Sequence, residues 1–85
     1  MATIRLFASA REAAGTGRDL VAGDTVAEVL GEARRRYGRP FSDLLPSCRV
    51  WVNGEPATDD DVVADGDEVA VLPPVSGGAG LERIA

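Results

Sequence analysis

TVAEVLGEARRRYG, residues 25–38, carries the strongest helical pattern in the chain. Val26, Val29, Leu30, Ala33 and Tyr37 return at helical spacing and fall on one face. Thr25 and Glu28 have capping-box spacing, so each side chain can satisfy the other's backbone N–H. Gly38 supplies a left-handed stop, and Pro40 is expected to prevent restart. The pattern predicts one amphipathic helix over residues 25–37. Arg34, Arg35 and Arg36 fall in its last turn, where cations complement the helix dipole. They read as a solvated helix end, with an anion or partner patch as the alternative.

Outward from this helix the period changes to two. Residues 3–8 predict a strand with Ile4 and Leu6 on one face and Arg5 and Phe7 on the other. A turn-rich segment follows, then a second strand over residues 19–22 that pairs back on the first as a hairpin. The intervening Gly15-Thr16-Gly17 resembles part of a dinucleotide loop. It leads into a strand rather than a helix, and the chain is too short for the supporting sheet.

Beyond the helix, residues 41–45 predict a short helical turn. Residues 48–53 predict a third strand, with Cys48, Val50 and Val52 facing one way and Arg49 and Trp51 the other. Asn53-Gly54 is a tight-turn signal, and Asp65-Gly66-Asp67 a second. Residues 68–72 form the last strand, with Val69 and Val71 alternating against Ala70 and Leu72. One amphipathic helix covering one face of a mixed sheet of four to five strands is a two-layer α+β domain. The opposite sheet face carries Phe7 and Trp51, either as an exposed partner site or covered by loops.

Composition narrows the function. The chain has 85 residues, too few for two cores or for a large substrate cleft of its own. Hydrophobic residues make up 45% and charged residues 27%, which is globular rather than disordered composition. All nine basic residues are arginines, facing fourteen acids for a net charge of −5. An acidic chain is a poor general nucleic-acid binder. Histidine and lysine are both absent, which removes the usual general base, the usual zinc ligand and the Schiff-base nucleophile. Chemistry is therefore expected to need a partner. Asp59-Asp60-Asp61 lacks calcium-loop spacing and reads as a solvated turn, so no metal is expected. No apolar run is long enough for a membrane span, and no secretory leader is evident. A small domain with one cysteine, Cys48, fits the reducing cytoplasm. Cys48 reads as a core residue beside Val50 and Val52, with persulfide acceptance as the alternative.

The C-terminal segment is the candidate chemical site. Pro73 and Pro74 stop the sheet and favour an extended exit. Gly77 and Gly78 have no Cβ and can pass through a narrow channel. The six residues 73–78 reach about 20 Å, enough to place a terminus inside another protein. A terminal carboxylate could be activated there by adenylation, after which a sulfur nucleophile displaces AMP. A Gly-rich tail without function is the alternative.

The strings LFASAREAAGT (6–16), VNG (52–54) and ADGDEVAVLPPVSGG (64–78) resemble the small subunit of molybdopterin synthase, a ubiquitin-like sulfur carrier. The resemblance implies a β-grasp domain over residues 1–72, a flexible carrier tail over 73–78 and an extension over 79–85. It implies that Gly78 carries the adenylate and then the thiocarboxylate, while Gly77 keeps the passage narrow. It also implies that Phe7 and Leu72 pack on the large synthase subunit, and that Pro73, Pro74, Val75 and Ser76 enter it with the loaded tail. Sulfur would pass there to a cyclic pyranopterin, forming the dithiolene that binds molybdenum. No cofactor is bound by the chain, although a ubiquitin-activating-like adenylating enzyme uses ATP. Family members usually end at the second glycine, whereas this chain continues through Ala79–Ala85. A protease is therefore expected to free Gly78, with Leu81, Glu82, Arg83 and Ile84 as candidate recognition residues. The same tail fits sulfur delivery to thiamine, cysteine or thiosugar synthesis, or a ubiquitin-like protein modifier. It also fits a plain interaction module with an incidental glycine pair.

Overall fold

A computed structural model describes residues 1–74. The chain runs β1 (Ala2–Leu6), α1 (Ala8–Ala14), β2 (Arg18–Val21), α2 (Val26–Tyr37), α3 (Arg39–Leu44), a 3-10 turn (Leu45–Ser47), β3 (Arg49–Val52), β4 (Glu55–Pro56) and β5 (Glu68–Leu72). The five strands form one mixed sheet in the order β2-β1-β5-β3-β4. β1 pairs antiparallel with β2 and parallel with β5, and β3 pairs antiparallel with both β5 and β4. This is the expected β-grasp fold.

Strand alternation sorts the side chains. Ile4, Leu6, Val69 and Val71 are buried on the inner face with Val26, Val29, Leu30 and Ala33 of α2. Phe41 and Leu45 close the same core, and Val50, Val52 and Cys48 pack against it. Cys48 thus takes its expected core-facing place. Burial pushes its thiol pKa up, and its Sγ–H points to the Leu44 carbonyl at 3.5 Å.

Two expectations are corrected. The segment after β1 is a helix, α1, rather than a run of turns. Ala10 anchors it in the core, with Ala13 and Ala14 packed alongside. Pro40 does not prevent a helix from restarting; it lies in the first turn of α3. A helix's first N–H groups lack intrahelical acceptors, so proline loses nothing there.

The start of α2 is capped from outside. Its Thr25 hydroxyl accepts from Glu28 N at 3.2 Å, as the spacing predicts. The Glu28 carboxylate, however, accepts from Asp24 N at 2.8 Å rather than from Thr25. Val26 N and Ala27 N donate to the Asp61 and Asp59 carbonyls, both at 3.0 Å. The acidic run is thereby part of the cap of the main helix. Among the described residues no three His, Cys, Asp or Glu side chains group to hold a metal ion.

At its other end α2 is clamped to the edge strand β2. Arg36 donates to the Asp19 carboxylate at 3.0 Å and to the Leu20 carbonyl at 2.8 Å. The Tyr37 hydroxyl donates to the same carboxylate at 2.8 Å. Of the three arginines, Arg36 is thus a structural tie, Arg35 pairs with Glu32, and Arg34 is exposed. The tyrosine and arginine hydrogen bonds hold the Asp19 carboxyl below its usual pKa. Burial and the Asp19 bond push the Tyr37 hydroxyl well up.

A Cβ on Gly23, whose φ is +154°, would lie 2.7 Å from Val29 N and 2.8 Å from Val29 Cγ2. Gly23→Ala is expected to cost about 2–4 kcal/mol in urea unfolding, because β2 and α2 must separate to admit it. Tyr37→Phe is expected to cost about 1 kcal/mol at neutral pH. Asp19's depressed folded pKa contributes stability that is present above its ordinary value of 3.8 and lost as pH falls below it. Acid unfolding followed by circular dichroism should therefore show a weaker acid limb in Asp19→Asn than in the parent chain.

Candidate functional site

The sheet face opposite α2 carries the candidate site. On β1 and β5, Arg5 lies in register with Ala70, and Ala70 with Trp51 on β3. The next row pairs Leu72 with Arg49, and Phe7 follows directly after β1. Ala70 is the small member of its row, so its methyl forms the floor of a depression between larger neighbours. The depression has a volume of about 230 Å³ and is lined by Phe7, Trp51, Gly54, Glu68, Ala70 and Leu72.

Phe7 is held through its backbone. Its N–H donates to the Val71 carbonyl at 3.3 Å, and its own carbonyl accepts from Ala10 N and Arg11 N at the start of α1. The main chain is thus fixed on both sides of a ring that remains 37% exposed. The Arg5 guanidinium lies 5.4 Å from the ring centroid, within cation–π range, and pairs with Glu68 at 3.1 Å. Trp51 is half-buried between Ala70 and Pro56. Phe7 and Trp51 therefore share one surface, and no loop among the described residues closes over it. Apolar residues with ionic pairs at their edge are the usual make-up of a protein-binding surface.

The strand that floors this face also leads to the tail. Leu72, half-buried, is the last residue of β5, and Pro73 and Pro74 follow without backbone N–H groups to continue a ladder. Phe7, Leu72, Pro73 and Pro74 are thus brought to one end of the sheet. Val75, Ser76, Gly77, Gly78 and the extension 79–85 lie outside the described residues.

The motif residues upstream of β5 have structural work. Asp67 accepts from Ala64 N at 2.9 Å and from Asn53 Nδ2 at 3.0 Å, and both bonds lower its pKa. Asn53 Oδ1 accepts from Glu68 N at 2.9 Å. Asn53 and Gly54 have φ of 51° and 84°, the left-handed pair of a tight hairpin turn. The β3–β4 turn is thereby tied to the start of β5. Sequence reading missed Trp51's partners Ala70 and Gly54, because a cavity made by small residues leaves no periodic signal. A larger depression, about 520 Å³, lies beside α2 and is lined by Gly23, Asp24, Glu28, Glu32 and Arg35 among others. It is on the helical layer, away from the tail, and its carboxylates face solvent without a buried polar partner.

Comparison with known proteins agrees with this geometry. The chain is 36% identical over 84 residues to small archaeal modifier protein 1 of Haloferax volcanii, covering 87% of this chain and 97% of that protein. It is 38% identical over 80 residues to the molybdopterin synthase sulfur carrier subunit of Arabidopsis thaliana, covering 88% and 80% respectively. The solution structure of small archaeal modifier protein 1 from Methanosarcina acetivorans superposes with a TM-score of 0.83 at 28% identity, covering 91% of this chain and 95% of that one. The ThiS family model matches residues 4–78, from the first strand through the glycine pair. With its mixed five-stranded sheet, its apolar face and its tail sequence, the chain belongs to the ThiS family of ubiquitin-like sulfur carriers.

Proposed function

We propose that this chain is the sulfur-carrying small subunit of a molybdopterin synthase. The observation that carries the reading is the placement of the apolar Phe7–Trp51–Leu72 face at the end of β5 from which the Pro73-Pro74 segment leaves. A partner that covers this face receives the tail at its edge. In the proposed chemistry an activating enzyme joins the Gly78 carboxylate to AMP from ATP, releasing pyrophosphate. A sulfur donor then displaces AMP to leave a thiocarboxylate. The large subunit supplies the basic groups that this chain lacks, and sulfur passes to the pyranopterin precursor.

Residues 79–85 bear directly on this chemistry. While Ala79 is attached, the Gly78 carbonyl is a peptide carbonyl and offers no carboxylate to adenylate. Hydrolysis of the Gly78–Ala79 bond must come first, and a host protease is the proposed agent. A second reading, a ubiquitin-like modifier joined to target lysines, is favoured by the 36% identity to small archaeal modifier protein 1. Both readings need the same free, activated Gly78.

Intact mass of the protein isolated from its host tests the reading directly. The expected species ends at Gly78, in part with one oxygen exchanged for sulfur. A chain ending at Ala85 in every preparation would overturn carrier function. Lysine-linked adducts lost on deletion of Gly77 and Gly78 would identify a modifier instead.

The docking face is tested by calorimetry with the large synthase subunit. Phe7→Ala and Trp51→Ala are each expected to weaken binding at least about tenfold, as aromatic anchors do. Leu20→Ala is the control. Leu20 is 57% exposed on the same side of the sheet but at the far edge strand, and its loss should leave affinity within about twofold.

A further inference from the structure

We propose that the outer sheet face docks on a partner surface in which an apolar side chain is flanked by carboxylates, and that Arg5, Arg18 and Arg49 read that pattern. The inference deepens the proposed synthase reading and rests on it for the partner, the large subunit. What carries it is the distribution of charge in this fold.

The chain as a whole is acidic, with fourteen carboxylates against nine arginines. The outer face reverses that balance. Strand register places Arg18, Arg5, Ala70 and Trp51 in one row across β2, β1, β5 and β3. Arg49 stands beside Leu72 in the neighbouring row. Glu68 is the one carboxylate among the described outward strand residues, and Arg5 binds it at 3.1 Å. The acids gather on the helical layer instead. Asp24, Glu28 and Glu32 line the depression beside α2, and residues 59–61 adjoin its first turn.

The arginines of the two layers also differ in what they touch. Arg35, Arg36 and Arg39, on the helices, each have a carboxylate partner. Arg18 and Arg49 are exposed and form no ion pair among the described residues. Arg18 lies directly opposite Arg5, and like charges so placed repel across an antiparallel pair. That repulsion weakens the free domain, and a carboxylate arriving from outside relieves it.

The chemistry of the occupant follows. The depression over Ala70, about 230 Å³ and walled by Phe7, Trp51 and Leu72, takes an apolar side chain. Strand spacing sets Arg18 and Arg49 about 15 Å apart, with the Phe7 ring and the depression between them. One protein surface can meet both. The guanidinium fork matches a carboxylate with two parallel hydrogen bonds. A nucleic acid does not fit, because its phosphates form a continuous line, whereas these arginines frame an apolar floor on an otherwise acidic molecule. The same asymmetry steers encounter: an acidic patch repels most of this chain and attracts this face.

The test measures association of the chain, as isolated from its host, with the large synthase subunit by stopped-flow fluorescence. The parent rate is expected to fall at least about fivefold between about 0.01 M and about 0.15 M salt. Arg18→Glu and Arg49→Glu are each expected to lower the low-salt rate at least about fivefold. Arg34→Glu makes the same change of charge at an exposed position on α2 and should leave the rate within about twofold. Arg18→Gln should slow association without lowering the urea midpoint of the free domain, a combination that a merely structural arginine would not give. Equal slowing by Arg34→Glu would make the effect one of net charge and overturn the proposal. Rates indifferent to Arg18 and Arg49, or faster association of their glutamate variants, would overturn it too. Each of those outcomes leaves the synthase reading standing. A parent chain that does not bind the large subunit would overturn the synthase reading itself, and this proposal with it.

Discussion

The parallel pairing of β1 with β5 is the constraint on which the rest depends. It joins the beginning of the domain to its end at the centre of the sheet, with Ile4 opposite Val69 and Leu6 opposite Val71. All four side chains are buried. Parallel strands cannot be joined by a tight turn, so the intervening chain must cross over, and α2 lies within that crossover. A slip of one residue would turn Arg5 and Ala70 into the core and carry Phe7 off the outer face. Core register and partner face are therefore one specification. The same pairing puts Phe7 beside Val71, so the first aromatic anchor and the exit of the tail are neighbours although more than sixty residues separate them in sequence.

Charge in this chain serves that arrangement more than chemistry. The acidic run at residues 59–61 offers backbone carbonyls to the first turn of α2. Asp67 and Asn53 tie the hairpin to β5, and Asp19 gathers Arg36 and Tyr37 at the other end of α2. Each supplies an acceptor, a main-chain carbonyl in the first case and a side-chain oxygen in the others, to donors that would otherwise compete for water at an element's end. Conspicuous acids therefore mark where elements meet. On the proposed reading the reactive part is the tail, and the domain's task is to present it to the right surface.

Elements whose signal is local could be read before any coordinates. The apolar period of residues 25–37, the alternation of residues 68–72 and the Asn53-Gly54 turn each contain their own instruction. The face shared by Phe7 and Trp51 followed from alternation alone. α1 was not legible, because it is seven residues long, begins at Phe7 without a side-chain cap and buries only Ala10 fully. Its helicity comes from tertiary contact rather than from pattern. Pro40 misled for a related reason: proline stops a helix already running and suits the start of a new one, and only the position of Gly38 distinguishes the two. The depression over Ala70 depends on which strands adjoin, and the order β2-β1-β5-β3-β4 is written in no single segment. Gly77 and Gly78 were legible only as sequence, and they lie outside the described residues.

Similarity to both a sulfur carrier subunit and a protein modifier has a physical basis. In the proposed chemistry both begin from one intermediate, an acyl group activated at a terminal glycine. They part only at the nucleophile, sulfur in one case and a lysine amine in the other. A chain without histidine or lysine lacks the usual side-chain bases with which to favour either. On the proposed reading the choice falls to the partner that covers the Phe7–Trp51 face and receives the tail. Specificity then resides in the shape of that face and in the ionic pairs beside it, Arg5–Glu68 among them. Similarity to relatives of both kinds is what one fold serving either fate would give.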